Sequence, residues 1–598
     1  MRSQESAPEL GERSPLITSE ANSDDGDVEN HSLSESLDLA DSIVEHKSVL
    51  YLFLLTLSIG GLQIVWSVEL SHGSPFLLSL GMSKAFLAIV WIAGPLTGAL
   101  VQPYVGIMSD NCRSPFGKRK PFMIFGGTAT VASLMLLAWS KEIVSLIFHV
   151  FSKTPSEIAM QNVTIALATV LMWVLDFSIN TVQAGIRAFI VDNAPSHQQE
   201  SANAWASRII GVGNVLGYIF GYINLPKYMP FFGNTQFKVL CVLASIALSS
   251  TLVISCVYIK ERDPRGEGPP KSNNPGILDF FRQVFKSIKR LPPQIRKVCE
   301  IQFFHWIGWF PFLFYITTYI GQLYVDHDLK PELTDAEVEA LWAKATRIGT
   351  LALLVYAIVS FSANIFLPLI IQPTYKPLPC DDEYTTLRPN SPLVTRHRRS
   401  SFGEVSHTEA GLSVFLPTEN RDYTFQHDRP NLISRALLRL QIPGLTLRRM
   451  WFLSQLLFAI CMFSTFFIHT PLAATIMTAF VGISWSLTLW APFALISAEV
   501  ARREETARKK RRQQPSADEQ VKDEEETDQA GVILGLHNVA VSSPQILATL
   551  VSSVIFHFLQ TPRNVPGDTS VSWTLRLGGV AGLVAASITY HLGEPEDG

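Results

Sequence analysis

Residues 169–193 read TVLMWVLDFSINTVQAGIRAFIVDN, an apolar stretch interrupted by side chains that can do chemistry. Asp176, Asn180, Gln183 and Arg187 fall at i, i+4, i+7 and i+11. At about 100° per residue that spacing is one narrow stripe along a helix. An ionised Asp or Arg turned to lipid costs roughly 3 kcal/mol, so the stripe must face protein or a water-filled cavity. Asp176 and Arg187 are about 16 Å apart along the axis, too far to pair, and so serve two levels of one cavity. A carboxyl so placed can bind and release a proton; the amides and the guanidinium can hold a polar ligand. A polar packing seam between helices is the alternative, and a transport path is the preferred reading.

Three more segments carry related groups. Gln63, Trp66 and Glu69, with His72 beyond them, lie in an apolar run at 48–70, where Trp66 and Glu69 share a face. Gln302, Trp306 and Trp309 form one face of IQFFHWIGWFPFLFYITTYIG. Aromatic faces beside an amide suit sugar rings, whose C–H surfaces stack and whose hydroxyls need partners; interfacial tryptophan belts are the alternative. Asn538, Ser542 and Gln545 repeat the i, i+4, i+7 spacing in GVILGLHNVAVSSPQILATL. Such amides fit an uncharged, polyhydroxylated ligand better than an ion.

The elements that must carry these groups are membrane spans. The chain has 598 residues, 47% hydrophobic and only 17% charged, against about a quarter charged for a soluble chain. About twelve apolar runs reach the length of roughly twenty residues that crosses a bilayer. They lie near 48–70, 85–109, 121–140, 161–190, 205–224, 237–259, 299–321, 346–372, 450–469, 472–497, 531–556 and 573–592. The expected fold is an all-α polytopic membrane protein of twelve helices in two six-helix halves. Its expected divisions are an N-terminal tail (1–47), a first bundle (48–259), a connector (260–298), a second bundle (299–592) and a C-terminal tail (593–598).

Basic residues orient it. They gather after even-numbered spans, as in Arg113, Lys118, Arg119 and Lys120, then Lys260 and Arg262, then Arg396, Arg398 and Arg399, then the run 509–512. The loop 322–344, by contrast, holds six acids against Lys330 and Lys344. By the positive-inside rule both termini are cytoplasmic. In the connector, Ile277, Phe281, Phe285 and Ile288 stand at helical spacing among basic residues, as in an interfacial amphipathic helix. Segments 373–447 and 499–530 are polar without periodicity and are expected to be disordered cytoplasmic loops.

The remaining features bound the function. A net charge of −4 points to no nucleic-acid partner. None of the six cysteines demands a disulfide, and the polar first 47 residues have no cleavable-signal pattern. No metal-ligand cluster or nucleophile motif supports an enzyme, and no cofactor or metal is expected. Ser400 and Ser401 follow Arg398 and Arg399 as in a basic-directed kinase site. Leu16 and Ile17 follow Glu12 as in an acidic dileucine signal read by a sorting adaptor.

The loop GIMSDNCRSPFGKRK, from Gly106 to Lys120, joins Gly, Asp and a basic cluster in a short turn. It resembles the signature loop of the major facilitator superfamily, in which an acid exchanges partners as the halves move. Gly106, Asp110, Gly117, Lys118 and Arg119 would form that conformational latch, although Asp110 and Gly117 stand farther apart than in the usual form. Together with WIAGPLTGALVQPYVG, NTVQAGIRA, VGNVLGY, QFFHWIGWFPF and LGLHNVAVSSPQ, in that order along the chain, it resembles the sucrose transporters of plants and their fungal and animal relatives.

That resemblance implies proton-coupled uptake of sucrose or related glucosides by the major facilitator fold. It implies Asp176 as the proton-coupling carboxylate and Arg187 as a coupling or sugar-binding residue; Glu69, a second proton-coupling candidate, falls where animal and fungal relatives have a Glu and plant members a Gln. Where plant members carry several charges after the FPF of the seventh span, this chain has Ile316, Thr317, Thr318, Gln322 and Leu323. The work would then rest on Glu69, Asp176 and Arg347, as in a fungal-type member, leaving room for maltose-like α-glucosides. Asn180, Gln183, Gln63, Trp66, Gln302, Trp306, Trp309, Asn538, Gln545 and Arg347 complete the expected sugar-binding set.

The expected mechanism is alternating access around a midplane site. A sugar sensor with a transporter fold, whose output is the loop 373–447, and an uncoupled facilitator of another solute are the rivals. The plasma membrane is the expected location, with the vacuolar or lysosomal membrane as the alternative.

Overall fold

The computed structural model describes residues 47–151, 156–195, 198–261, 265, 282, 291–328, 333–372, 440–513, 520–562 and 565–593. The N-terminal tail, the proposed amphipathic helix of the connector, Leu16, Ile17, Ser400 and Ser401 lie outside them. The described residues form helices and no strand; a single bridge joins Gln372 and Thr446.

The long helices are α1 (Val49–Val68), α2 (Ala93–Asp110), α3 (Lys120–Ala138), α4 (Glu157–Asn193), α5 (Gln199–Tyr222) and α6 (Gln236–Tyr258), then α7 (Pro293–Asp328), α8 (Asp335–Ile370), α9 (Leu447–Ser464), α10 (Pro471–Gln513), α11 (Gln520–Leu559) and α12 (Ser570–Tyr590). Nine stretches of the described chain are long and apolar enough to cross a membrane. The other three expected spans coincide with α5, α7 and α9, which are helical and more polar.

Local signals set the helix ends. Ser48 caps α1 by accepting from the Tyr51 N–H, and Thr334 and Glu337 form a reciprocal capping box at the start of α8. The 37-residue α4 stops at Ala194, whose extended backbone (φ −92°, ψ 132°) is what a following proline, here Pro195, requires. Prolines 103, 311, 368, 492 and 544 sit inside helices, where each removes a backbone donor and favours a bend.

The first span is not one uniform helix. After α1 the chain widens into a π turn, Glu69–Gly73, then resumes as a helix at Ser74–Ser79. The second begins with a short helix, Lys84–Val90, and continues as α2.

The structure differs from expectation at 499–530. Helix α10 runs on to Gln513 and α11 starts at Gln520. This sequence is dense in Ala, Glu, Lys, Arg and Gln, which favour helix even without an apolar face. Most of the long segment after α8 lies outside the described residues. Its ends are pinned together by Gln372 N–H donating to Leu445 O and Ile442 N–H to Ile370 O, both at 3.0 Å.

Among the first six helices, α1 packs on α5 and α6, while α4 packs on α2 and α3. Among the last six, α7 packs on α8, α11 and α12, and α10 on α8 and α9. The two sets meet chiefly where α5 lies on α8 and where α11 lies on α2 and the Lys84–Val90 helix. Helix α4 shows the resulting polarity: Val170, Val174 and Phe177 are exposed, as lipid contact requires, while Asp176 and Asn180 are buried.

Candidate functional site

Glu69 and Asp176 are 3% and 1% exposed, and their carboxyl groups lie within electrostatic reach of one another. None of their four oxygens has a hydrogen-bond partner among the described residues. The pairing depends on local backbone. The π turn carries Glu69 on its first residue, and Gly94 of α2 leaves space in front of Asp176, where a Cβ would stand 3.4 Å from the carboxyl. Ionising both acids would set like charges against each other in a medium that screens them poorly, so the pair is suited to taking up and releasing one proton.

The stripe on α4 divides in use. The Asn180 amide donates to Thr97 Oγ1 and to the Asp176 carbonyl, both at 2.9 Å, and its oxygen accepts from Gln102 at 2.7 Å. Asn180 is thereby spent on joining α4 to α2. The Gln183 oxygen accepts from the Trp66 indole at 3.0 Å, tying α4 to α1. Arg187 is half-buried and makes no ion pair with a described residue. It is the one cation of the stripe.

Gln63 donates to Asn214 Oδ1 at 2.9 Å, and the Ser67 hydroxyl donates to the same atom at 3.1 Å. Farther along, a Cβ on Gly221 of α5 would meet both the His72 ring and Thr350 of α8, so helices from both sets converge there. Arg347 of α8 lies within electrostatic reach of His72.

On α7 the aromatic face is packed. Trp309 is fully buried, with its ring 4.5 Å from Phe458 and 4.9 Å from Trp485, and Trp306 lies 5.9 Å from Trp485. The Gln302 amide meets His537 of α11 at 3.3 Å and leaves its oxygen unpartnered. Asn538 is half-buried, and Gln545 donates to Val541 O of its own helix at 3.0 Å. Gln102, Asn214, His537 and Trp485 carry no spacing signal of their own; each becomes visible only through the helix it faces.

The loop 106–120 is built around Arg119. Its guanidinium pairs with Asp110, donates to Ser109 and binds Asp192 at the end of α4 at 2.6 Å. Its backbone N–H donates to both oxygens of Glu261 beyond α6, at 3.2 Å each. Gly117 makes the turn possible: its φ is +113°, and a Cβ there would collide with the Glu261 carboxylate. Gly106 has open space around it. The partners described for this loop all belong to the first six helices and their ends.

Comparison with known proteins agrees with this architecture. Residues 48–376 match the Major Facilitator Superfamily family model. The chain belongs to that superfamily and, within it, to the family of α-glucoside permeases and sucrose transport proteins; it is a multi-pass membrane transporter. It is 38% identical over 584 residues to the general alpha-glucoside permease of Schizosaccharomyces pombe, covering 95% of this chain and 99% of that one. A sucrose transport protein of rice (Oryza sativa subsp. japonica) is 32% identical over 52% of this chain and 60% of its own length. Among solved structures, a proton-dependent oligopeptide transporter superposes with a TM-score of 0.52 at 11% identity, covering 91% of this chain and 98% of that one. At that identity the likeness concerns the fold.

Proposed function

We propose that this protein is a proton-coupled symporter of α-glucosides, sucrose and maltose among them, working by alternating access of the sets 48–259 and 299–592. The observation that carries the reading is the Glu69–Asp176 pair, two buried carboxyls with no hydrogen-bond partner among the described residues. A proton taken up from outside relieves their mutual repulsion, and the neutral pair then permits closure around bound sugar. The membrane potential adds about 2.3 kcal/mol per charge per 100 mV, enough to drive accumulation. Arg187, Gln302 and Asn538 supply unspent groups toward the sugar, with Arg347 as a second cation near His72. The name of the Schizosaccharomyces pombe relative supports a broad α-glucoside range over strict sucrose specificity.

The basic loops are assigned to the cytoplasm and the protein to the plasma membrane, with Ser400 and Ser401 as kinase targets and Leu16 and Ile17 as an adaptor signal. The rearranging latch is the Arg119 network, which would trade Asp110 between partners as the halves rock.

Labelled maltose and sucrose uptake in cells lacking their own transporters tests this at acidic and neutral external pH, with and without a protonophore. Acid-stimulated uptake that collapses with the protonophore is expected. Uptake indifferent to both would make the protein a facilitator. No uptake by protein at the cell surface would favour a sensor.

A further inference from the structure

Lys84 and Asp110 stand at opposite ends of one span, so the far end of the molecule from the Arg119 loop is where Lys84 lies. There, Lys84 Nζ binds Asp568 at 2.7 Å, and its backbone N–H donates to Gln560 at 2.8 Å. Beside this ion pair is a cavity of about 480 Å³ between the first and last sets of helices. That volume falls within the range of small-molecule sites, roughly 300–1,000 Å³.

The wall of this cavity is mostly apolar, with polar groups set into it, and carries little uncompensated charge. Thr317, Thr318 and Thr561 line it, and their buried hydroxyls have no partner among the described residues. On facing α8, by contrast, Thr346 and Thr350 each donate to the carbonyl one turn back, at 2.9 Å. A buried hydroxyl left unpaired costs about 1–3 kcal/mol, so three in one wall point to a ligand that pairs with them. Gln322 and Gln161 donate their amides to Asp326 and to the Leu80 carbonyl, keeping their own oxygens as acceptors. The buried Trp342 adds an aromatic ring, and the lining pair Lys84–Asp568 is mutually neutralised. Hydroxyls and acceptor oxygens around an indole fit an uncharged, polyhydroxylated ring.

We propose that this cavity is a second glucoside-binding site, distinct from the Glu69–Asp176 region, which holds sugar at the outer end of its path. The assignment rests on the reading that the chain carries glucosides. It also gives a use to Thr317, Thr318 and Gln322, which stand where plant relatives are expected to have charges.

The test uses the full chain in intact cells. Thr561→Cys is labelled by a membrane-impermeant maleimide, with and without saturating maltose and with sodium chloride at equal osmolarity as control. Maltose slows labelling about five-fold or more. The isosteric pair Thr317→Val and Thr318→Val raises the half-saturation for maltose uptake about five-fold at unchanged maximal rate, as the loss of about 1 kcal/mol of hydrogen bonding predicts. With maltose held at the wild-type half-saturation, the same pair lowers occupancy from about one half to about one sixth, and protection of Thr561→Cys falls with it. Transport with no protection, or wild-type half-saturation in the valine pair, would overturn the site. Protection in a chain that moves no glucoside would instead keep the site and overturn the transport reading.

Discussion

At the Arg119 end, Asp110 and Asp192 share one guanidinium, and at the opposite end Asp568 holds Lys84. Between them, Glu69 and Asp176 lie within electrostatic reach of each other with no ion pair to a cation among the described residues. The three places differ in what their charges can do. Paired groups at the ends hold segments together and change state only if the segments part. The interior pair has nothing to hold, so its protonation can vary while the helices stay in place. The two ends also differ from each other: the Arg119 contacts stay within elements of the first six helices, whereas Lys84–Asp568 joins the first set to the last. The contact between the two sets at the Lys84 end is therefore partly ionic, beside hydrogen bonds such as Lys84 N–H to Gln560 and Ser553 Oγ to the Ala85 carbonyl.

Asp176→Asn strikes the comparison hardest. Proton-driven accumulation of labelled maltose falls by about 100-fold or more, while exchange of internal for external sugar survives, because binding contacts remain. Normal accumulation in this variant would remove the interior pair from the mechanism.

Lys84→Met strands a buried carboxylate, so thermal unfolding in detergent shows a loss of about 3–5 kcal/mol. Lys84→Met with Asp568→Asn recovers most of it, since neither charge is then left alone. Equal losses in the single and double variants would mean that the pair contributes no closure.

Gly117→Ala is expected to cost about 1–2 kcal/mol from the positive φ alone, with more from the clash with Glu261. Adding Glu261→Ala relieves only the clash. Full recovery in that double variant would show that the backbone is not the constraint.

The smallest effect concerns pH. Burial raises the Asp568 carboxyl, but the Lys84 ammonium and hydrogen bonds from Ser570 outweigh it and hold the group below its ordinary value. A carboxylate depressed on folding stabilises above its unfolded value, about 4, and loses that contribution as pH falls through the lower folded value. The unfolding difference between wild type and Asp568→Asn should thus stay level from about pH 7 to 5 and shrink below about pH 4. A difference that shrinks already between pH 7 and 5 would place the Asp568 value above its ordinary range.

Much of this architecture was legible along the chain, because a bilayer demands long apolar runs and the helices follow them closely. The α4 stripe was legible for the same reason: Asp176 in such a run has few places to go but inward. What periodicity could not supply was the partner. Asn180 looks like Gln183 in sequence, yet Gln102 and Thr97 engage it from α2. Asn214 becomes meaningful only once α5 lies on α1, and Lys84 meets a residue 484 positions away. The helices through 499–513 and 520–530 were missed for another reason, since amphipathic spacing was sought where propensity alone suffices.

The π turn at Glu69–Gly73 has a mechanical side. A turn of this kind carries one surplus residue, a unit of slack within an otherwise continuous rod. Moving the slack along by one position would swing the intervening side chains through about 100° and advance them about 1.5 Å, without severing the helix. Glu69 stands at the edge of that slack, so a local change of winding would alter its alignment with Asp176 without any rigid-body motion of the first span.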